Sequence, residues 1–316
     1  MGKKSDARDF MTFFGFIAPG LLIYLFIIAY PICYSVFLSL TNYNPNTDAG
    51  TKFVGLANYI KVMTMNRGVV DPSSNIPEFW YALKNNMIVV AVSVFGQIPI
   101  GFILAFILYR KQVKGATFFQ SMVFLPNFLS TIVIGIMWRM LFMVDGPVAK
   151  LIQFFTKDPT KQFDLMMNPD KCMIPIGIAL IWMYTGMYMI IFLANLQKIN
   201  ESMFEAAKID GANEFQMFFR ITVPLLAGTI LTSCILAIAG SLKGFSLIFA
   251  LAPEGQQRIN TEVLPIFMYR TAFNNAKDPM RFAYGATISN IVVCISLLLI
   301  GFSNWVGKKF GTDEEY

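Results

Sequence analysis

The residue types that most often carry enzyme chemistry are sparse in this 316-residue sequence. Histidine is absent, and the four cysteines lie far apart with no Cys-x-x-Cys spacing. Neither a Ser-His-Asp nor a Cys-His arrangement can therefore form, and no metal or disulfide framework is expected. The nearest approach to a Gly-x-x-x-x-Gly-Lys-Ser/Thr phosphate loop, Gly301 to Lys309, has one residue too many and no hydroxyl after the lysine. We predict no catalytic residues, no metal and no cofactor bound by this chain.

A short polar segment, Asn200 to Asn213, has the composition of a docking helix. Ser202-x-x-Glu205 fits a capping box and Gly211 suits a left-handed helix end, so we predict a helix over about 201–213. Its small residues let another protein approach closely, and its apolar residues can fill a cleft in that protein. From these features alone, an amphipathic helix lying on the membrane is an equal alternative.

Six apolar blocks surround this segment, and each is long enough to cross a bilayer. The chain is 56% hydrophobic and 14% charged, whereas roughly a quarter of the residues in soluble domains are charged. A hydrocarbon core needs roughly 20 apolar residues per helix, and no ten-residue alternation indicates barrel strands. We predict an all-α integral membrane bundle of six transmembrane helices in a single domain, 1–316. The predicted spans are about 11–40, 81–109, 118–143, 172–196, 224–251 and 282–306.

Basic residues indicate the orientation of the bundle. They cluster at 3–8, in the short loop 110–114 and at Lys308 and Lys309. Six crossings put these positions on one side, which the positive-inside rule makes the cytoplasm. Both termini and the polar helix are therefore predicted to be cytoplasmic, and the loops outside are 42–80, 144–171 and 252–281. The net charge of +6 forms no stripe of the kind that binds nucleic acid.

The six blocks lack the groups that couple transport to an ion gradient. They contain no Asp, Glu or His, and such groups mark ion paths inside membranes. Arg139 and Lys243 fall near predicted outer ends, where long side chains reach the interface. With no phosphate loop either, we expect the energy for any transport to come from a separate subunit.

The spacing around the polar segment is specific. It reads Glu205-Ala206-Ala207, three residues, Gly211, nine residues, Ile221, one residue and Val223-Pro224. This resembles E-A-A-x3-G-x9-I-x-L-P, the signature of permease subunits of binding-protein-dependent ABC importers. The sequence departs from that pattern only at Val223, where the family usually has leucine.

Other stretches resemble the carbohydrate-uptake branch of that family, which includes maltose and glycerol-3-phosphate permeases. They occur in the family's order over nearly the whole chain. These stretches are Tyr30-Pro31, Ser39 to Tyr43, Phe53 to Tyr59, Phe124 to Pro126, Ile209 to Ala212, Gly240 to Phe245 and Tyr269 to Phe273.

The resemblance implies that the polar helix is a coupling helix seated in a cleft of a cytoplasmic ABC ATPase dimer. It further implies a second, homologous permease chain, an extracellular solute-binding protein and a bacterial plasma-membrane location. ATP and magnesium would bind the ATPase. By motif position, the ATPase-coupling residues would be Glu205, Ala206, Ala207, Asp210 and Gly211, with Pro224 marking the start of the next span.

Candidate residues of a substrate path are polar or aromatic side chains inside the spans, for which helix-to-helix hydrogen bonding is the alternative role. They are Gln97, Trp182, Tyr184, Asn195, Ser289 and Asn290. We predict the permease subunit of an ATP-driven sugar or oligosaccharide importer that works by alternating access. An ion-coupled carrier or channel and a non-transporting membrane scaffold are the alternatives.

Overall fold

The computed structural model confirms the all-α prediction. It describes residues 3–45, 50–66, 76–110, 114–157, 165–166, 168, 170–252, 259–274 and 278–309. Residues 111–113 of the basic loop and part of each predicted outer loop lie outside these ranges. Within them there is no strand, only an isolated antiparallel bridge between Thr41 and Phe53.

Sixteen α-helices follow one another in the described part of the chain, several of them joined without a break by a π turn or a 3-10 turn. They are α1 (Lys3–Tyr24), α2 (Tyr30–Ser39), α3 (Ala57–Thr64), α4 (Glu78–Val92), α5 (Ile98–Tyr109), α6 (Ala116–Phe124), α7 (Thr131–Phe142), α8 (Pro147–Thr156), α9 (Met173–Leu196), α10 (Glu201–Ile209), α11 (Glu214–Met217), α12 (Val223–Leu225), α13 (Ala227–Lys243), α14 (Ser246–Leu251), α15 (Leu264–Tyr269) and α16 (Arg281–Lys309).

Five helical segments are long and apolar enough to cross a membrane, and a bent pair supplies a sixth if it is counted as one span. The bent pair, Glu214–Leu225 and Ala227–Lys243, meets at 73°. This number agrees with the six predicted transmembrane helices. The five segments are Thr12–Ser39, Glu78–Tyr109, Thr131–Thr156, Met173–Leu196 and Arg281–Lys309.

The predicted third block, 118–143, is interrupted in the structure. A 3-10 turn, Leu125–Phe128, separates α6 from α7. Pro126 in this turn has no backbone N–H to continue a helix, and the side-chain amide of Asn127 donates to the Met183 carbonyl of α9 at 3.0 Å. The membrane-length segment therefore begins at α7 and includes α8.

The fifth block also differs from the prediction, which placed Pro224 at the start of a span. Pro224 instead lies inside the helical segment that begins at Glu214. Helix α13 begins only after the bend at Leu226 and ends at Lys243. The prediction is wrong here because it treated proline as a helix start, whereas a local widening of the helix accommodates it.

Three π turns accommodate prolines within helices, at Pro31, Pro99 and Pro224. Each turn ends two residues before its proline, and the intervening residue donates its N–H to the carbonyl five residues back. Proline lacks an N–H and its ring crowds the carbonyl four residues earlier, so a wider turn lets the helix continue. The bonds are Tyr30 to Leu25, Ile98 to Ser93 and Val223 to Phe218.

The helices form two compact units. These are Met1–Thr64 with Met268–Ile291, and Met65–Phe267 with Val292–Tyr316. In the smaller unit, the side-chain amide of Asn58 donates to the carbonyls of Ser39 and Thr41, each at 2.8 Å. Asn290 donates to the Ser35 carbonyl at 3.2 Å. Side-chain amides therefore tie the end of the first span to its neighbours.

The larger unit is built on the close approach of α9 to α5 and to α6. A Cβ on Gly101 of α5 would lie 2.9 Å from the Met189 nitrogen of α9, and one on Gly186 would collide with the Val123 carbonyl of α6. Phe102 stacks on Phe192 between the same helices, with ring centroids 4.4 Å apart. Small residues permit this approach, as is typical of membrane helix pairs.

Replacing Gly186 with alanine should destabilise the larger unit. The new methyl group meets backbone atoms of α6, which cannot rotate away, and such overpacking costs about 1–3 kcal/mol. The thermal unfolding midpoint in detergent should therefore fall. Gly301→Ala is the matched control, because Gly301 is also helical but has open space around it. Equal midpoints for the two variants would contradict this account of the packing.

Candidate functional site

The predicted docking helix is present as α10, but it begins differently from the prediction. Asn200 is the N-cap, and its side-chain oxygen accepts the N–H of Ser202 at 3.1 Å. The predicted capping box from Ser202 to Glu205 is therefore wrong. Asparagine caps a helix as well as serine does, so the helix starts earlier and carries Glu201 in its first turn.

Gly211 ends the helix as predicted, with a φ of +81°. Its N–H donates to the Lys208 carbonyl at 3.1 Å, and the N–H of Ala212 donates to the Ala207 carbonyl at 2.9 Å. This pair of bonds is the Schellman motif, which satisfies the last free carbonyls of a helix. The helix itself stops at Ile209, before the predicted end at 213.

A second cap follows at once and starts α11. The side chain of Asn213 accepts the N–H of Gln216 at 2.8 Å, and the side chain of Gln216 accepts the N–H of Asn213 at 2.9 Å. The Asn-x-x-Gln spacing is the sequence signal for this cap, which the prediction of a single helix over 201–213 did not include. Because both ends of the connection are capped, α10 and α11 are joined by a defined turn.

The inner side of α10 is anchored to the end of α5. Phe204 is only 1% exposed, and its ring centroid lies 5.7 Å from that of Tyr109. The Arg110 guanidinium lies 5.2 Å from the Phe204 ring centroid. Arg110 also donates from Nε and Nη2 to the two carboxylate oxygens of Glu214, each at 3.1 Å. The end of α5 therefore holds both α10 and α11.

The outer side of α10 presents most of the signature residues to solvent. Glu205, Ala206, Asp210 and Gly211 are exposed, whereas Ala207 is half-buried against the core. Two apolar side chains on this helix are also exposed: Met203 at 44% and Ile209 at 86%. The surface combines carboxylates, small residues and apolar groups on a short capped helix, as a protein-docking surface requires.

A cavity of about 280 Å³ lies within the larger unit, among α4, α9, α13 and the break between α13 and α14. Gln97 and Tyr184, both predicted for a substrate path, line it. Gln97 also donates to the Leu180 carbonyl at 3.2 Å, and Ser241 Oγ donates to Ser93 Oγ at 2.8 Å. Hydroxyl, amide and aromatic side chains therefore line the same cavity.

The other four predicted path residues lie elsewhere. Trp182 makes an edge contact with Trp138, with ring centroids 5.8 Å apart. Asn195 donates to the Ile191 carbonyl of its own helix at 2.9 Å. Ser289 and Asn290 belong to the smaller unit. The structure thus brings two of the six candidates together in the cavity.

Asn85, which is not among the predicted site residues, fixes a buried backbone segment. Its side-chain amide donates to the Asn260 carbonyl at 3.0 Å and to the Glu262 carbonyl at 2.9 Å. The hydroxyl of Tyr81 and the thiol of Cys172 also donate to the Asn260 carbonyl, each at 3.3 Å. Two adjacent asparagines in an apolar block were the available signal.

The neighbouring Asn86 connects the same segment to the cavity. It donates to the Ser241 carbonyl at 3.3 Å, and its side-chain oxygen accepts the N–H of Leu264 at 3.2 Å. Ser241 in turn lines the cavity. The two asparagines therefore set the position of residues 259–264 relative to the cavity wall.

Replacing Asn85 with leucine should loosen this segment and expose Cys172, which is fully buried in the native chain. The substitution removes two buried hydrogen bonds, each of which contributes about 0.5–1.5 kcal/mol, so local opening becomes more frequent. Maleimide labelling of Cys172 should become roughly tenfold faster. The measurement uses a background in which the remaining cysteines are serine, namely Cys33, Cys234 and Cys294.

Asn195→Leu is the control for that experiment, because Asn195 bonds only within its own helix and to Lys198 among the bonds resolved here. It should leave the labelling rate unchanged. Equal labelling rates of Cys172 in the Asn85 and Asn195 variants would show that the Asn85 side chain does not hold this segment in place.

Comparison with known proteins gives concordant matches. The family model for the binding-protein-dependent transport system inner membrane component matches residues 97–311. The probable ABC transporter permease protein YurN of Bacillus subtilis (strain 168) is 30% identical over 286 residues, covering 90% of this chain and 91% of the relative. The lactose transport system permease protein LacF of Rhizobium radiobacter is 30% identical over 289 residues, covering 90% of each.

Solved structures share the fold. In a crystal structure of a bacterial alginate ABC transporter in complex with an alginate pentasaccharide-bound periplasmic protein, one chain matches with a TM-score of 0.77. The match has 19% sequence identity and covers 97% of this chain and 96% of the other.

Proposed function

This chain belongs to the family of binding-protein-dependent transport system inner membrane components, and we propose that it forms part of the translocation path of an ATP-driven saccharide importer. Its membrane-length helices suit a multi-pass permease. Neither an ion-coupled carrier nor a membrane scaffold is favoured, because the relatives that match most of the chain are ABC transporter permeases.

The outer side of α10 is the proposed contact with a cytoplasmic ATPase. The observation that carries this proposal is the division of the helix into a buried anchor, Phe204, and an exposed side that bears Glu205 and Asp210. Ile209, the most exposed apolar residue of α10, would fill a cleft in the ATPase. Because the Schellman turn at Gly211 stabilises the end of the helix, the exposed side is already formed before docking.

The remaining partners follow from this contact. One chain supplies one coupling helix, whereas an ATPase dimer offers two clefts, so a second permease chain is required. A solute-binding protein would deliver substrate to the outer loops, with both termini of this chain in the cytoplasm. ATP and magnesium would bind the ATPase, whose closure would move α10 and open the path inward.

The cavity is the proposed saccharide contact of this chain. Its volume of about 280 Å³ is close to the lower end of the range for small-molecule sites. Tyr184 offers an aromatic face, and Gln97, Ser93 and Ser241 offer hydrogen-bonding groups, which together suit the alternating faces and hydroxyls of a sugar ring. The lactose permease relative is similar over 90% of the chain and supports this substrate class.

Substituting the coupling residues should abolish uptake without preventing membrane insertion. In the double variant Glu205→Ala, Gly211→Ala, an exposed carboxylate is lost and a left-handed turn is strained. Uptake by cells carrying the full transporter should fall to background while the amount of chain in the membrane stays constant. Gly301→Ala is the glycine control and should transport normally. Normal uptake by the double variant would contradict the proposed role of Glu205 and Gly211 in coupling to the ATPase.

Substituting the cavity residues should weaken transport more than assembly. For Tyr184→Leu and Gln97→Leu we expect about tenfold lower uptake at limiting sugar, since a lost contact of ~1.4 kcal/mol changes affinity tenfold. The measurement is saccharide uptake by the reconstituted importer with its loaded binding protein, across lactose, maltose and alginate oligosaccharides. Asn195→Leu should behave as wild type, and an equal loss in that control would show that the cavity is not the saccharide contact.

A further inference from the structure

One guanidinium group contacts both helices of the cytoplasmic connection. Arg110 is the C-cap residue of α5, and its side chain is 16% exposed. It packs over the Phe204 ring of α10 and forms two hydrogen bonds with Glu214, the first residue of α11. None of these three residues belongs to the fixed positions of the signature, so the arrangement is separate from the docking surface itself.

The geometry of this contact fixes the orientation of α10 and α11 relative to α5 more than it stabilises the fold. A partly exposed ion pair contributes little to folding, and Glu214 is 45% exposed. A guanidinium that bonds both oxygens of one carboxylate, however, holds the two groups in a common plane. With the Phe204 ring against the same group, α10 and α11 are held at a set angle to the end of α5.

Helix α5 joins this contact to the cavity. Its N-terminal end follows Gln97, which lines the cavity, and its C-terminal end is capped by Arg110. Twelve residues at 1.5 Å each make α5 about 18 Å long. A helix transmits a displacement along its axis because its backbone bonds keep its length constant, so movement at Arg110 reaches Gln97.

Apolar packing holds the same helices together independently of Arg110. Phe218, which follows α11, packs against Phe102 with ring centroids 4.9 Å apart and against Phe106 at 5.1 Å. Met217 is also buried in this cluster. Removing the guanidinium therefore leaves the fold supported, and what is lost is the directional polar contact.

We propose that Arg110, paired with Glu214 and Phe204, is a positioning residue that transmits movement of the coupling helix through α5 to the cavity. The proposal rests on the proposed function, because a permease driven by an ATPase has such a movement to transmit. Without Arg110, ATP hydrolysis continues but moves the cavity wall less effectively. The residue thus governs how much solute crosses for each ATP hydrolysed.

The test measures this ratio in the complete importer, reconstituted in proteoliposomes with its binding protein and the saccharide panel named above. Arg110→Ala should lower the ratio of saccharide imported to ATP hydrolysed at least tenfold, with most of the ATPase activity retained. Arg110→Lys keeps the charge but loses the planar pair, so it should also lower the ratio. The exchange Arg110→Glu with Glu214→Arg restores the ion pair but not the contact with Phe204, so it should recover part of the ratio that Arg110→Ala loses, and a ratio no higher than that of Arg110→Ala would contradict the role of the pair.

Lys114→Ala is the matched control, since Lys114 is an exposed basic residue of the same loop, and it should leave the ratio unchanged. A wild-type ratio in Arg110→Ala, or an equal fall in Lys114→Ala, overturns the proposal. If the Arg110→Ala importer does not assemble, Arg110→Lys takes its place, and a wild-type ratio of saccharide imported to ATP hydrolysed in that variant overturns the proposal. Absence of any saccharide-dependent hydrolysis in the wild-type importer would instead refute the proposed function.

Discussion

Backbone amides in a hydrocarbon core have no water to bond, and this constraint determines most of the structure. Each peptide group in a span must find its partner within the chain, which in this protein means within a helix. A proline conflicts with this constraint, because it has no N–H to donate and the carbonyl four residues earlier therefore loses its usual partner. The π turns before Pro31, Pro99 and Pro224 resolve the conflict by moving the preceding N–H to a carbonyl five residues back.

The irregular positions that result from this constraint are also where the cavity lies. Ser93 and Gln97 belong to the π turn between α4 and α5, and Gly244 separates α13 from α14. Where a helix is widened or interrupted, side chains and carbonyls turn away from the regular ladder and become available to a ligand. Polar groups are thereby concentrated in one place inside an otherwise apolar unit.

The polar connection from Asn200 to Asn213 follows a different physical rule, because most of it is exposed to water and its rigidity must come from specific bonds. Asn200, Gly211 and Asn213 cap three successive helix ends, and Phe204 and Arg110 attach the result to α5. A helix that is capped and anchored in this way would lose little conformational freedom on binding a partner.

Local patterns of the sequence determined the all-α membrane fold, the number of membrane-length segments and the position of the short polar helix α10. Hydrophobic length, a turn glycine and motif spacing are local properties, so they can be recognised without knowing the fold. The predicted helix boundaries were less accurate: Asn200 rather than Ser202 caps α10, and Pro224 lies within a helix. In the first case two residues suit one role, in the second one residue suits two roles, and the local pattern does not decide.

Only the tertiary structure decided which polar residues act together. Gln97 and Tyr184 share a cavity although 86 residues separate them in the sequence, whereas Asn195 bonds only nearby residues, Ile191 and Lys198, among the bonds of the described residues. Arg110 and Glu214 pair across 103 intervening positions. In the sequence, composition and spacing determine what each segment becomes. Which distant side chains meet depends on how the helices pack, and that depends on close approaches such as those at Gly101 and Gly186.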